Sequence, residues 1–214
     1  MPSYQFVKEG TNNELYIFLF SLLYLSLYPV LPHLSLLSRF FLLFFHCVYP
    51  DFNGDLKIAS IIEFVNKGGN LLVAASSDIS ESIRDLAIEF SVDFDESGTG
   101  VIDHFHRQKS DETTHTLISS SNVNHDTYII KKSDKSNNPI LFRGVGARLT
   151  GKNPLAVSVL SGEKTAFSYN LKTDYVDKTH PASMGSKTVL VSALQARNNA
   201  RVVFSGSIDL FSDR

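Results

Sequence analysis

The distribution of apolar positions divides the chain into two parts near Pro50. Residues 15–49 are dominated by Leu, Phe and Tyr, and Arg39 is their only fixed charge. From residue 50 onward, charged and apolar residues are mixed in the proportions of an ordinary folded domain. The sequence therefore predicts an apolar segment over residues 1–49 and an α/β domain over residues 50–214.

The apolar segment has two interpretations. Leu15 to Leu37 is long enough to cross a membrane, which takes about 20 apolar residues, but Pro29 and Pro32 each remove a backbone donor from its second half. A secretory signal peptide fits poorly, because the apolar stretch is too long and no small-x-small cleavage site follows it. The segment is either a membrane span or a mistranslated stretch joined to a genuine domain.

The domain begins with a pattern of helix, strand and helix. Apolar residues follow helical spacing at Ile58, Ile61, Ile62 and Val65. Asp55 is the candidate N-cap of this helix, and Gly68-Gly69 are the residues expected to end it. The continuous apolar run Asn70–Ala75 then predicts a strand that is buried on both faces. A second helix is predicted from the apolar positions Ile83, Leu86, Ala87 and Phe90.

Further along the chain, the pattern becomes one of strands. Residues 97–138 are polar and are predicted to be irregular, with Asp111–Thr114 as a charged loop. Four strands are predicted at Leu155–Leu160, Thr165–Asn170, Thr188–Leu194 and Arg201–Ser205. This order of elements predicts a layered α/β domain whose sheet is partly parallel and which leads into β-rich segments.

Composition and charge exclude several classes of function. The chain has 20 basic and 22 acidic residues, so its net charge of −2 creates no field that would favour nucleic acid. The single cysteine, Cys47, excludes an internal disulfide and any zinc or iron–sulfur site built from several thiolates. We expect neither a cofactor nor a nucleic-acid partner.

The best candidates for catalysis are two serines. Ser76 and Ser77 follow a predicted strand and precede a helix, where many α/β enzymes hold a nucleophile, but the Gly-x-Ser-x-Gly signature is absent. Serine is also common at the start of a helix, where it caps the backbone. The alternative function is thus a free-standing α/β hydrolase or amidotransferase-like enzyme, with Ser76, Ser77 or His104 as its candidates.

A group of histidines is the best candidate for a metal site. Asp103-His104-Phe105-His106 places two imidazoles on one side of a predicted strand, with Asp103 as a possible outer partner, and His115 and His125 follow. The surroundings read as a loop, so polar residues at the end of a strand are the simpler explanation. We predict no metal ligands here.

Glycine pairs and arginines give no stronger signal. Gly144-Val145-Gly146 and Gly68-Gly69 form neither a dinucleotide fingerprint nor a phosphate loop, so they are predicted to be turns and caps. Arg143, Arg197 and Arg201 could bind an anion, although solvent or a carboxylate is the commoner partner of an arginine. No complete triad or carboxylate pair is visible, and we predict no catalytic, cofactor-binding or metal-binding residues.

Four stretches of the sequence together resemble one known family. They are Gly68–Ile79, Val101–His104, Asn138–Gly146 and Leu194–Asp213, and the last includes the polar group Gln195, Arg197, Asn198 and Asn199. In this order they are similar to the 48 kDa subunit family of the oligosaccharyltransferase complex. The resemblance covers about residues 50–214, and residues 1–49 are not part of it.

The resemblance implies a function and a set of partners. It implies a non-catalytic subunit of the endoplasmic reticulum complex that transfers a glycan from a dolichol carrier to asparagine. The implied fold is a lumenal amidotransferase-like α/β domain without catalytic residues, followed in the family by β modules and a membrane helix. The implied partners are the catalytic integral-membrane subunit, the ribophorins and a small hydrophobic subunit. The chain is therefore expected to be a fragment of such a subunit.

Overall fold

The computed structural model describes residues 41–45, 57–111, 113–124, 139–151, 153–172 and 181–212. All of them belong to one unit that begins at Phe41. The candidate membrane segment Leu15–Leu37 lies outside the described residues, as do Asp55 and His125. Within the described ranges, no helix is both long enough and apolar enough to cross a membrane.

The first elements form a strand–helix–strand–helix unit. β1 (Phe41–Phe45) is parallel to β2 (Asn70–Ala74), and α1 (Ile58–Asn66) comes between them in the chain. α2 (Glu81–Glu89) follows β2. These elements confirm the two predicted helices and the strand between them, although Lys57 and not Asp55 stands at the N-cap of α1.

Glycine ends α1 as the sequence predicts. Gly68 has a φ of +94°, a left-handed conformation that glycine adopts without the steric cost of a Cβ. The Gly68 N–H donates to the carbonyl of Val65, and the Gly69 N–H donates to that of Phe64. The chain can therefore turn directly from the helix into β2.

Nine further strands complete the described fold. They are β3 (Val92–Phe94), β4 (Thr99–Ile102), β5 (Ile118–Ser120), β6 (Ile140–Phe142), β7 (Ala147–Leu149), β8 (Ala156–Ser161), β9 (Phe167–Asn170), β10 (Val189–Gln195) and β11 (Arg201–Ser205). The four predicted strands are confirmed as β8 to β11. The prediction that residues 97–138 are irregular is wrong for β4 and β5, because strands this short leave too few positions to show alternation.

The main sheet has seven strands and mixed direction. Its order is β1-β2-β11-β10-β7-β3, with β8 also paired to β10. β1, β2 and β11 are parallel, whereas β10 is antiparallel to β11, β8 and β7. β4 pairs with β9, and β5 with β6, in two small antiparallel sheets. The fold is thus α/β with a partly parallel sheet.

The larger core lies where α1 and α2 pack against one face of the main sheet. Its central side chains are Ile61, Val65, Leu71, Val73, Ile83, Leu86, Val202 and Phe204. Leu71 and Val73 of β2 are 1% and 0% exposed, while Leu72 between them is half-buried. The expectation that β2 is fully buried on both faces is therefore wrong at Leu72, on the face opposite the helices.

β1 extends the fold beyond the boundary suggested by composition. It lies at residues 41–45, inside the 1–49 segment that the sequence separates from the domain, and it pairs in register with β2 from Phe41↔Asn70 to Phe45↔Ala74. A strand in a parallel sheet reads as a continuous apolar run. Composition therefore cannot distinguish such a strand from the apolar residues before it.

Candidate functional site

The polar residues before β11 form the turn between β10 and β11. The Ala196 N–H donates to the Ala200 carbonyl, and Asn199 takes a φ of +70°, which asparagine tolerates better than most residues. Gln195 Nε2 donates to Asn199 Oδ1 at 2.6 Å. Asn198 Nδ2 donates to the carbonyls of Val65 and Asn66, at 2.8 Å each, and thereby caps the end of α1. These amides serve the fold, while Arg197 and Arg201 are exposed.

The serine candidates lie at the carboxyl end of β2. The N–H of Asp78 donates to Ser76 Oγ over a long 3.4 Å, and the Ser77 carbonyl accepts the N–H of Gly98 at 2.7 Å. The first contact lies within the turn from β2 into α2, and the second ties this turn to the residue just before β4. Neither is the contact between a nucleophile and a base that a hydrolase needs.

Two glycine-containing loops pack directly against each other. The N–H of Val145 donates to the carbonyl of Gly206 at 2.9 Å, and the N–H of Gly206 donates to the carbonyl of Leu190 at 3.0 Å. A Cβ on Gly144 would lie 1.9 Å from the Gly206 carbonyl oxygen, and one on Gly206 would lie 1.9 Å from the Val145 carbonyl oxygen. These two glycines allow the two backbones to pack closely. The predicted turn at Gly144 is a bend, and the contact with Gly206 is a tertiary feature that the sequence did not predict.

His104 and His106 lie in a bend and not on a strand. β4 ends at Ile102, and Asp103 Oδ1 accepts the N–H groups of Phe105 and His106 at 2.9 and 3.1 Å. This local hydrogen bonding competes with strand pairing and turns the chain. The prediction that His104 and His106 share one side of a strand is therefore wrong.

The bend separates the two predicted imidazoles and gives each a different partner. His104 Nδ1 lies 2.5 Å from His115 Nδ1, whereas His106 Nδ1 lies 3.1 Å from both Asp103 Oδ2 and Thr165 Oγ1. Asp103 is 1% exposed. Burial alone would raise the pKa of Asp103, but hydrogen bonds from Phe105, His106 and Thr165 outweigh it and lower that pKa. In the described part of the chain, no group of three or more His, Cys, Asp or Glu residues could hold a metal ion.

Asp111 organises the loop that the sequence reads as charged and solvated. It is 8% exposed, and its two carboxylate oxygens accept hydrogen bonds from the backbone of Thr114, Thr116 and Leu117 and from both threonine hydroxyls. Burial would raise the pKa of Asp111, but these hydrogen bonds outweigh it and hold that pKa well below its usual range. The residues that donate to Asp111 follow it within six positions in the sequence. An Asp with threonines three and five positions later was therefore the sequence signal that could have predicted this loop.

A second buried carboxylate, Asp95, gave no sequence signal. It follows β3, is 3% exposed, and accepts a hydrogen bond from Ser183 Oγ at 3.2 Å. Burial raises the pKa of Asp95, and the nearby hydroxyls of Ser168 and Ser183 only partly oppose this. Ser168 and Ser183 lie more than seventy positions further along the chain, so local pattern could not reveal the cluster.

The chain matches a known protein family over most of its length. The profile of the family described as "OST48, N-terminal domain" matches residues 41–214, which is most of the chain and includes β1. The chain belongs to this family. The match begins at the same residue as the folded unit, nine positions before the boundary suggested by composition.

Three relatives of the family share one name, dolichyl-diphosphooligosaccharide–protein glycosyltransferase 48 kDa subunit. The chain is 42% identical to the protein from Danio rerio over 190 residues, which is 85% of this chain and 42% of the relative. It is 41% identical to the Drosophila melanogaster protein, over 76% of this chain and 37% of the relative. It is 42% identical to the Caenorhabditis elegans protein, over 76% of this chain and 36% of the relative. The chain thus spans about two-fifths of the length of these relatives.

Proposed function

We propose that this chain supplies the N-terminal domain of a non-catalytic, structural subunit of the oligosaccharyltransferase complex, which supports transfer of a dolichol-linked glycan to asparagine. The observation that carries this proposal is the family match over residues 41–214, together with 42% identity to a protein named as the 48 kDa subunit of that transferase. The chain spans about two-fifths of such a subunit, so we infer the role of the whole subunit from its relatives.

The contacts of the candidate residues support a structural role. Asn198 caps α1, Gly144 and Gly206 allow two loops to pack together, and Asp103 and Asp111 organise their own loops. A catalytic carboxylate or imidazole has to reach a substrate with its polar atoms. The two aspartates instead direct their oxygens at groups within the domain.

We further infer the location, the partners and the finer architecture from the family. The domain is proposed to lie on the lumenal side of the endoplasmic reticulum membrane. It is proposed to contact the catalytic integral-membrane subunit, the ribophorins and the small hydrophobic subunit. An amidotransferase-like layering is proposed as well, supported by the β1-α1-β2-α2 order and by β11 pairing parallel to β2.

The test is complementation with a chimera. Residues 41–214 replace the matching domain of the zebrafish relative, and the chimera is expressed in cells depleted of the endogenous 48 kDa subunit. We expect it to co-purify with the other subunits and to restore N-glycosylation of a reporter protein. Failure to co-purify, although the chimera is folded and present at normal level, would contradict the proposal.

A matched variant distinguishes a structural role from an enzymatic one. The chimera carrying both Ser76→Ala and Ser77→Ala should restore glycosylation as well as the unmodified chimera does. If the double variant assembles into the complex but glycosylation is lost, a catalytic role of these serines is favoured instead.

A further inference from the structure

Asp95 is a buried carboxylate whose charge no neighbouring side chain neutralises. It is 3% exposed, and no ion pair in the described ranges includes it. Arg148 is the basic residue whose charge acts on Asp95, but its guanidinium is paired with Asp93 at 2.8 Å. An isolated buried charge is strongly disfavoured, so Asp95 needs either a partner of opposite charge or a proton.

Three buried residues with hydroxyl groups, from separate parts of the fold, lie near this carboxylate: Ser168 and Ser183 beside it, and Thr188 across Gly146 from it. Ser168 comes from β9, Ser183 lies in the segment that bonds to β9, and Thr188 directly precedes β10. These residues are 3%, 4% and 0% exposed, respectively. Within the described residues, Asp95 Oδ1, Ser168 Oγ and Thr188 Oγ1 are buried and lack a hydrogen bond of regular geometry, although the Ser168 hydroxyl is close enough to Asp95 to lower its pKa. Buried polar atoms in this state call for an explanation, such as a bound ion.

Gly146 allows Asp95 and Thr188 to pack closely on either side of it. A Cβ on Gly146 would lie 2.9 Å from Asp95 Oδ2 and 3.0 Å from the Thr188 methyl carbon. The Asp95 N–H donates to the Gly146 carbonyl at 3.0 Å, which fixes the two backbones against each other. Any larger residue at this position would press a methyl group against the carboxylate.

We propose that Asp95, Ser168 and Thr188 bind one small monovalent cation, Na⁺ or K⁺, where the main sheet meets the β4–β9 pair. All the atoms concerned are oxygens, which suit hard cations and not the transition metals that favour nitrogen or sulfur. One carboxylate and one monovalent cation leave the buried site neutral. A divalent cation would leave a buried net positive charge, which carries the same cost as the bare carboxylate.

A proton is the competing occupant of the site. It would also neutralise Asp95, and burial favours it. The hydroxyl of Ser183, however, donates to Asp95 Oδ2, a contact that stabilises the charged carboxylate. A cation leaves that contact intact and engages the remaining oxygens, which come from three distant positions in the chain.

The experiment measures thermal unfolding of the purified full chain at neutral pH in NaCl, KCl or choline chloride of equal ionic strength. Choline is too large to enter the site. We expect Na⁺ or K⁺ to raise Tm by several degrees relative to choline, in a saturable way, because a ligand that binds only the native state stabilises it.

Asp95→Asn should abolish this difference and Ser168→Ala should reduce it. Asp93→Asn, on the same strand but in the ion pair with Arg148, is the matched control and should keep it.

A second measurement is independent of the folding of any variant. The ²³Na NMR signal should broaden when the unmodified chain is added and should sharpen again when K⁺ competes. Equal Tm in the three salts, absence of broadening, or the same salt dependence in Asp95→Asn would each overturn the proposal. If Asp95→Asn melts at the same or a higher temperature than the unmodified chain in all three salts, a proton and not a cation neutralises Asp95.

Discussion

Asn198 joins two elements that are far apart in the sequence. Its Nδ2 donates to the carbonyls of Val65 and Asn66, and its Oδ1 accepts the N–H of Ala200 at 3.1 Å. The last four carbonyls of a helix have no partner within the helix. The β10–β11 turn thus supplies a cap for α1 from the opposite end of the domain.

Asn198→Ala should lower the free energy of unfolding by about 1–2 kcal/mol, because it removes three hydrogen bonds, although the position is exposed. Denaturant unfolding of the full chain measures this value. Arg197→Ala, at an exposed position of the same turn, is the control and should change the free energy by less than about 0.5 kcal/mol. Equal losses in the two variants would mean that the turn, and not the cap, determines the effect.

Asp111 makes the stability of its loop depend on pH. The pKa of Asp111 is lowered in the folded protein, since the hydrogen bonds from Thr114, Thr116 and Leu117 outweigh its burial. Stability from a lowered carboxylate pKa is complete above the unfolded value, which is about 3.9 for Asp. It is lost as the pH falls from there through the folded value.

Asp111→Asn should therefore destabilise the domain at about pH 7 and much less at about pH 2, below the ordinary pKa of Asp. Urea unfolding at both pH values gives the two differences. Asp85→Asn, at an exposed position of α2, is the control and should show no comparable dependence. A loss for Asp111→Asn that is equally large in acid would contradict a role for the ionised carboxylate.

At the level of whole elements, the Gly144–Gly146 loop and the end of β11 pack backbone against backbone. The Val145 N–H donates to the Gly206 carbonyl, and the Val101 N–H donates to the Gly144 carbonyl, each at 2.9 Å. These bonds connect the main sheet with β4 and with the second core cluster, which includes Val101 and Phe142. Side chains at Gly144 or Gly206 would hold these elements apart.

Gly206→Ala should cost at least about 3 kcal/mol of stability, because its Cβ would meet a backbone oxygen that cannot move by itself. Gly68→Ala is the control: a Cβ at Gly68 meets nothing within 4 Å, and its φ of +94° alone accounts for a cost of about 1–2 kcal/mol. Thermal unfolding compares the two. A smaller loss for Gly206→Ala than for Gly68→Ala would contradict the close approach.

For the molecule as a whole, β1 protects an edge of the main sheet. It occupies the end of the strand order next to β2, whose other neighbour is β11. Without β1, the backbone N–H and C=O groups on one side of β2 would be free to pair with another chain. β1 therefore belongs to the folded domain, although its composition resembles that of the apolar segment before it.

Two truncated chains test this dependence. Residues 41–214 should unfold at a clearly higher temperature than residues 50–214, and the shorter chain should aggregate more readily. Thermal unfolding and size-exclusion chromatography at several concentrations measure both effects. If the two chains behave alike, β1 does not contribute to the stability of the sheet.

The local pattern of apolar residues was sufficient to predict α1, α2, β2 and the four strands from β8 to β11. Their apolar periodicity, and the glycines after α1, depend on residues within a few positions of one another. Local pattern also identified the family, since the matching stretches are continuous in sequence. It failed for the shortest strands and for the bend at Asp103, where one carboxylate turns the chain out of β4.

Only the tertiary structure decided what the polar residues do. It placed β11 between β2 and β10, brought Asn198 to the end of α1, paired His104 with His115, and brought Ser168 and Ser183 to the buried Asp95. Each arrangement joins residues that sequence spacing does not relate, because closing a long loop depends on the packing of the whole core. The sequence determined which elements form and to which family they belong, and the packing determined where their polar atoms lie.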